Sequence, residues 1–152
     1  MLSSLFITQV VTEVGSLLER THAGDRVVVC DQSRFGKALG ATGVPVMHVA
    51  AKRGSLRRRD GQRIYGSAGR LPLADGSVSA VIGFGLGQHE HWQSILSEWA
   101  RAVREDGQIV LVDKSPKTEL TRRVLCSGLA GIEQQTAGRY VITSGAVTRL
   151  PG

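Results

Sequence analysis

Three short, unbroken apolar runs decide most of what this chain can become. They are Val27-Val28-Val29-Cys30, then Ala80-Val81-Ile82-Gly83-Phe84, then Ile109-Val110-Leu111-Val112. A strand that is apolar at successive rather than alternate residues has no face left for water. Such strands belong inside a sheet covered on both sides, which is the parallel sheet of α/β proteins. Segments of helical period lie between them, as that architecture requires.

Phe6, Val10, Val14, Leu17 and Leu18 are spaced by three and four, so they predict an N-terminal helix that Gly24 and Asp25 break. A short helix is expected over 33–39, ended by Gly40 and Gly43. A second strand is expected over 44–50, with Pro45 at its start or on an edge, and a short third at Ile64 and Tyr65. After the bend Leu71-Pro72-Leu73-Ala74-Asp75-Gly76-Ser77, the clearest helix spans 92–104. Trp92, Ile95, Leu96, Trp99, Ala102 and Val103 share one of its faces, Gly107 closes it, and both tryptophans are expected in the core. Leu120, Val124, Leu125 and Leu129 predict a later helix ended by Gly131. Segments 140–143 and 146–150 predict a closing hairpin around Ser144 and Gly145.

A chain of 152 residues fits one domain, with 1–24 as helix and turn and 26–150 as sheet and covering helices. The hydrophobic share of 41% suffices for a core, and an aromatic share of 5% leaves that core to Val, Leu, Ile and Ala. No apolar run approaches the roughly 20 residues of a membrane span, and the N-terminus lacks the pattern of a signal peptide. Cys30 and Cys126 fall in segments that read as buried, so reduced thiols in a cytoplasmic chain are expected, with a disulfide as the alternative.

The net charge of +6 makes an acidic partner or nucleic acid worth weighing. Much of it sits in 52–63, where Lys52, Arg53, Arg57, Arg58, Arg59 and Arg63 face one acid, Asp60. Nucleic-acid binders interleave aromatics or carry the charge on a groove-reading helix, and neither pattern occurs here. A solvated loop comes first, docking to a protein partner second, nucleic acid third; a monomer away from membranes is expected.

His89 and His91 are two apart and have no identifiable third ligand, so they read as a solvated loop before a helix rather than a metal site. Gly83, Gly85 and Gly87 read as close helix–strand packing. Ser115 and Ser127 have no recognisable base or acid beside them, so no catalytic residue is assigned.

The bend 71–77, the run 80–82, the stretch 95–107 and the run 109–113 occur in an order that resembles the second half of class I S-adenosylmethionine-dependent methyltransferases. There an LPF-x-DGS-like bend precedes strand four, and an A-R-x-L-R-x-G-G-like turn, here Ala100-Arg101-Ala102-Val103-Arg104-Glu105-Asp106-Gly107, leads into strand five. The likeness covers roughly 64–143. It implies a three-layer, Rossmann-like α/β fold with a mostly parallel sheet and an antiparallel C-terminal edge.

It also implies a cofactor site, and there the sequence departs three times. The loop after strand one reads Asp31-Gln32-Ser33-Arg34-Phe35-Gly36-Lys37, one glycine where close backbone approach calls for several. The end of strand two offers His48, Val49, Ala50 and Ala51 in place of a ribose-binding carboxylate. The adenine-facing position reads Ser67. A hydrogen bond to a charged group is worth roughly 1.5–3 kcal/mol. Two lost carboxylates thus remove about 3–6 of the roughly 8 kcal/mol that hold a micromolar ligand, unless Asp31 substitutes for one. A degenerate site near Asp31, Ser33, Phe35 and Ser67 is expected, with no cofactor in this chain and with Phe35 and Tyr65 covering the crevice.

That combination resembles the N-terminal domain of the anamorsin family of cytosolic iron–sulfur assembly factors. Val28-Val29-Cys30-Asp31-Gln32-Ser33 is similar to its V-V-W-D-K-S-like run, and Leu125-Cys126-Ser127-Gly128-Leu129-Ala130-Gly131 to its L-C-S-x-L helix and turn. The resemblance implies a non-catalytic docking domain at the start of a longer protein, with protein partners that include a diflavin reductase. Iron–sulfur clusters would then sit only in a C-terminal cysteine-rich region, since this sequence has no C-x-C or C-x-x-C. Two alternatives stay open: a diverged S-adenosylmethionine-dependent methyltransferase of small molecules or nucleic acid, and an RNA-binding module.

Overall fold

A computed structural model describes residues 4–30, 32–50, 62–65, 70–86, 90–114 and 128–148. Along the chain come α1 (Ser4–Arg20), β1 (Val27–Cys30), α2 (Ser33–Gly40), β2 (Val46–Ala50), β3 (Gln62–Tyr65), β4 (Val78–Phe84), α3 (Trp92–Ala102), β5 (Val103–Asp113), β6 (Ala130–Ala137) and β7 (Tyr140–Ala146). The strands form one sheet in the order β3-β2-β1-β4-β5-β7-β6. β1 to β5 pair in parallel, and β7 runs antiparallel to both of its neighbours, β5 and β6.

The three apolar runs occupy the interior of this sheet. Every residue of β1 is buried, as are Val78 to Gly83 of β4 and Gly107 to Asp113 of β5. Alternate residues divide between the faces. Val27, Val29, Ala80, Ile82, Val110 and Val112 join the cluster under α1 and α2; Val28, Val81, Ile109 and Leu111 join the one under α3. The result is the helix–sheet–helix layering expected of an α/β fold.

The predicted stripe of α1 is buried at Val10, Val14, Leu17 and Leu18. The helix stops earlier than Gly24, because His22 takes the left-handed conformation (φ 55°) and the Ala23 N–H reaches back to the Leu18 carbonyl at 2.8 Å. The following turn is latched to β4 by Ser79, whose Oγ accepts the Arg26 N–H at 2.8 Å and lies 3.0 Å from the Ala23 carbonyl. Ser79 is 2% exposed, so Ser79→Ala strands polar groups that water reaches poorly. Urea denaturation should show a loss of about 1–3 kcal/mol, and a change below about 0.5 kcal/mol, the size of an ordinary surface substitution, would contradict the latch.

Two expectations about the chain's last third need correcting. Tyr140–Ala146 is one continuous strand, not the first arm of a hairpin at Ser144 and Gly145. Ser144 and Gly145 instead pair with Val110 and Ile109 inside the sheet, where satisfied backbone tolerates small and polar residues. The real turn is at Gly138 (φ 61°) and Arg139, joining β6 to β7. Of the helix expected from Leu120 to Leu129, residues 120–127 lie outside the described residues, Leu129 is buried but not helical, and the Gly131 meant to end it lies within β6.

At the other boundary α3 ends at Ala102 rather than Arg104, and Val103 already pairs with Val78. A Cβ on Gly107 would meet the Val103 side chain and, at 2.6 Å, the Ser79 carbonyl. Only glycine lets β5 come this close to β4.

Candidate functional site

After β1 the chain builds outward through β2 and β3, then returns to place β4 on the other side of β1. The connections leaving β1 and β4 therefore diverge, α2 packing on one face of the sheet and α3 on the other. In open α/β sheets the crevice outside the carboxyl ends of strands at such a reversal is where ligands bind. The topology places Cys30, Gln32 and the start of α2 on one side of that position, and Phe84, Gly85 and Leu86 on the other.

Ser33 is the first residue of α2, and Gln32 is its N-cap (φ −135°, ψ 73°) without a side-chain cap. One turn in, Gly36 lies flat on the His48 imidazole. A Cβ there would collide with Cε1 and come within 2.7 Å of Nδ1. Of the roles glycines play in such loops, Gly36 retains the one that lets helix and strand pack closely. His48, beside Val29 in the sheet and 3% exposed, faces α2 rather than the crevice. Val49 is buried under the opposite layer, Ala50 ends β2, and Ala51 lies outside the described residues.

Phe35 is fully buried beneath α2 and meets Phe84 edge-on, with centroids 5.0 Å apart and rings at 70°. Its neighbour Arg34 is exposed. The two bulky residues of the loop thus point into the core and into solvent. Gly85 turns the chain out of β4 with φ 73°, donating its N–H to the Val112 carbonyl at 3.0 Å, so its role is conformational rather than packing. Gly83 does serve packing, because the Trp99 ring covers it. Trp99 is 2% exposed, as expected of core, while Trp92 is only partly buried.

Asp31, Ser67, Gly87, His89, Ser115, Cys126 and Ser127 lie outside the described residues, as do Lys52, Arg53, Arg57, Arg58 and Arg59 of the basic segment. Arg63 and Tyr65 belong to β3. Cys30 is buried at the end of β1. His91 is the N-cap of α3, exposed and 3.5 Å from the Glu90 carboxylate. No described helix is long and apolar enough to cross a membrane.

One cluster escaped the sequence reading. Arg101 of α3 donates from Nε and Nη2 to the Glu98 carboxylate (2.6 and 2.9 Å), and from Nη1 to Asp75 (2.7 Å) and the Leu73 carbonyl (2.8 Å). Nη2 also reaches the Leu71 carbonyl at 3.1 Å, and Glu98 accepts the Leu71 N–H at 2.7 Å. The hydrogen bond from Arg101, ahead of the opposing effect of desolvation, holds the Glu98 carboxyl below the usual glutamate range. A depressed carboxylate contributes stability above its ordinary pKa and loses it as pH falls through the lowered value. The clasp therefore persists through neutral pH and opens only in acid. The signal in the sequence was the i, i+3 pair Glu98 and Arg101.

No protein-family profile matches the chain, and no curated protein does. Solved structures do. The PH0226 protein of Pyrococcus horikoshii is similar with a TM-score of 0.75 at 15% identity, covering 96% of this chain and 92% of its own. A SAM-dependent methyltransferase of Thermotoga maritima gives 0.66 at 14%, covering 93% and 99%. PigF, solved with SAH, gives 0.74 at 13%, covering 97% of this chain and 62% of its own. At such identities the likeness establishes the fold, which is the class I methyltransferase fold.

The expectation of a non-catalytic, anamorsin-type docking domain is overturned by this finding. The similar structures include a named SAM-dependent methyltransferase and a protein holding SAH, and none of the three is named as an iron–sulfur assembly factor. One structural expectation at the site is also corrected. Phe35, expected to cover the crevice, is instead turned into the core, and Arg34 is exposed.

Proposed function

We propose that the chain is an S-adenosylmethionine-dependent methyltransferase whose cofactor lies at the carboxyl ends of β1 and β4. The observation that carries the reading is the sheet order β3-β2-β1-β4-β5-β7-β6, with its reversal between β1 and β4 and with Phe35 of the intervening loop buried in the core.

The described residues fit such a ligand in two respects. The α2 N-terminus, with no side-chain cap at Gln32, suits a carboxylate, since helix N-termini present N–H groups and partial positive charge. Gly36 and Gly85 hold α2 and the β4 exit where the two walls diverge. The glycine-poor loop departs from the fit by keeping backbone farther from the ligand. S-adenosylmethionine supplies an electrophilic methyl group; the protein's part is to bind it, aim it at a substrate nucleophile and exclude water.

Asp31, next in the chain after Cys30, can take over one of the two lost carboxylate contacts. One contact worth roughly 1.5–3 kcal/mol then remains missing, which weakens a micromolar site about 10- to 150-fold. Calorimetric titration with S-adenosylhomocysteine should give a dissociation constant of about ten to a few hundred micromolar. Absence of binding into the millimolar range would overturn the reading.

A further inference from the structure

The two edges of the sheet meet solvent differently. β3, at one end, carries Arg63 and follows Arg57, Arg58 and Arg59 in the chain. Cationic residues are a usual guard on an edge strand, whose outward N–H and C=O groups otherwise template another strand. β6, at the other end, pairs only with β7 and reads Ala130-Gly131-Ile132-Glu133-Gln134-Gln135-Thr136-Ala137. It holds no Lys, Arg or Pro. Its one charge, Glu133, is bonded to Arg20 at 3.0 Å. A register shift between Ala130 and Glu133 blunts the start of the strand, but from Glu133 to Ala137 the ladder with β7 is regular. Among the described residues nothing pairs with the outer side of that run.

Symmetry narrows what the run can accept. Alternate residues of a strand turn their backbone groups outward, and residues opposite one another in an antiparallel pair must both do so or both not. Two copies of one strand related by a twofold axis therefore pair about a single residue, which faces its own counterpart. The middle of the regular run is Gln135. An amide both donates and accepts, so Gln135 can bond its counterpart, which a charged side chain there could not. Around that centre Gln134 falls opposite Thr136 and Glu133 opposite Ala137, so no like charges meet. A foreign peptide would need only an open edge; self-pairing also needs a self-complementary centre, and β6 supplies one.

We propose that β6 is a dimerisation edge, pairing antiparallel with β6 of a second copy about Gln135, so that two seven-stranded sheets become one. The assembly closes at two copies, because the partner's β6 edge is consumed in the pairing. One strand pair is small beside the roughly 1,200–2,000 Å² of a stable interface, so the dimer is weak and concentration-dependent. A groove of about 290 Å³ between α1 and the β6–β7 turn, lined by Thr8, Gln9, Glu13 and Thr136 among others, gives the second copy further surface. The proposal departs from the monomer expected from the sequence. It is independent of the ligand reading, since β5 and β7 separate this edge from the crevice.

Sedimentation equilibrium of the full chain tests it, over roughly 10 μM to 1 mM, the range of a weak interface. The mass should rise from one chain toward two. Gln135→Lys sets like charges face to face and should raise the dissociation constant by about tenfold or more. Gln93→Lys, the same change on an exposed position of α3, should leave it unaltered. An equal mixture of Gln135→Lys and Gln135→Glu proteins should associate more tightly than either alone. Amide exchange in the wild type needs no substitution: protection should grow with concentration at β6 and not at β3. A wild type that stays monomeric at about 1 mM overturns the proposal. So does a dimer that Gln93→Lys weakens as much as Gln135→Lys does, a mixture no tighter than its components, or concentration-dependent protection at β3 instead of β6.

Discussion

Gly83→Ala should destabilise the protein by about 3 kcal/mol, at the upper end of what overpacking a core costs. A Cβ at this position of β4 would enter the Trp99 ring, colliding with Cη2 and lying 2.7 Å from Cζ3. Neither side can withdraw cheaply. Gly83 is paired with Leu111 in the middle of the sheet, and Trp99 is 2% exposed within the α3 layer. The clash has one partner, so it can be relieved from the other side. Trp99→Phe alone loses buried area, but the double substitution Gly83→Ala with Trp99→Phe should be more stable than the sum of the two single losses by about 1 kcal/mol or more. Denaturant unfolding of the four proteins measures this. Strict additivity, or a Gly83→Ala protein as stable as wild type, would show that α3 does not sit on β4 as described.

Gly36→Ala should be the second most damaging change, and it should reach the ligand site. On an exposed helix, glycine to alanine gains roughly 1 kcal/mol, because glycine loses more backbone freedom on folding. Here the new methyl group would enter the His48 imidazole, which is buried between α2 and β2 and has nowhere to retreat. The clash should exceed the propensity gain and leave a net loss of about 1–2 kcal/mol. It should also push α2 off the sheet and weaken S-adenosylhomocysteine binding severalfold. Adding His48→Ala removes the ring and should restore much of the helix's position. A stabilised Gly36→Ala protein with unaltered affinity would contradict the close approach of α2 to β2.

The interior of the sheet was legible because β1, β4 and β5 are apolar at successive residues, a pattern with few other solutions. The bend at 71–77 and the turn ending at Gly107 added the order of elements, and with it the fold. β6 was illegible for the opposite reason. As an edge strand paired on one side, it carries Glu133, Gln134, Gln135 and Thr136, so neither hydrophobic period appears. Ser144 and Gly145 look like turn residues in isolation, and only the pairing of β7 with β5 shows why they are tolerated inside a sheet.

At the candidate site the structure corrects one expectation, that Phe35 covers the crevice. Sequence conveys the bulk of Arg34 and Phe35 but not their directions. The spacing of Phe35 and Leu39, four residues apart and both buried, was a usable clue that Phe35 belongs to the core face of α2. The Phe35 ring lies on Phe84 rather than in the crevice. The clasp at Arg101 was likewise readable as an i, i+3 pair, but its reach across to Leu71 and Asp75 follows only from the fold.

A second concavity sharpens the central test. A groove of about 450 Å³ lies between α1 and the turn after α2, lined by Thr12, Ser16, Thr42 and Gly43 among others, at the amino ends of β1 and β2. It is at the far end of the sheet from the crevice. Amide chemical-shift mapping during titration with S-adenosylhomocysteine separates the two locations directly. The account predicts shifts concentrated at Cys30, at Gln32 to Gly36, and at Gly85 and Leu86. Shifts confined to the α1 groove, or none at millimolar ligand, would contradict it.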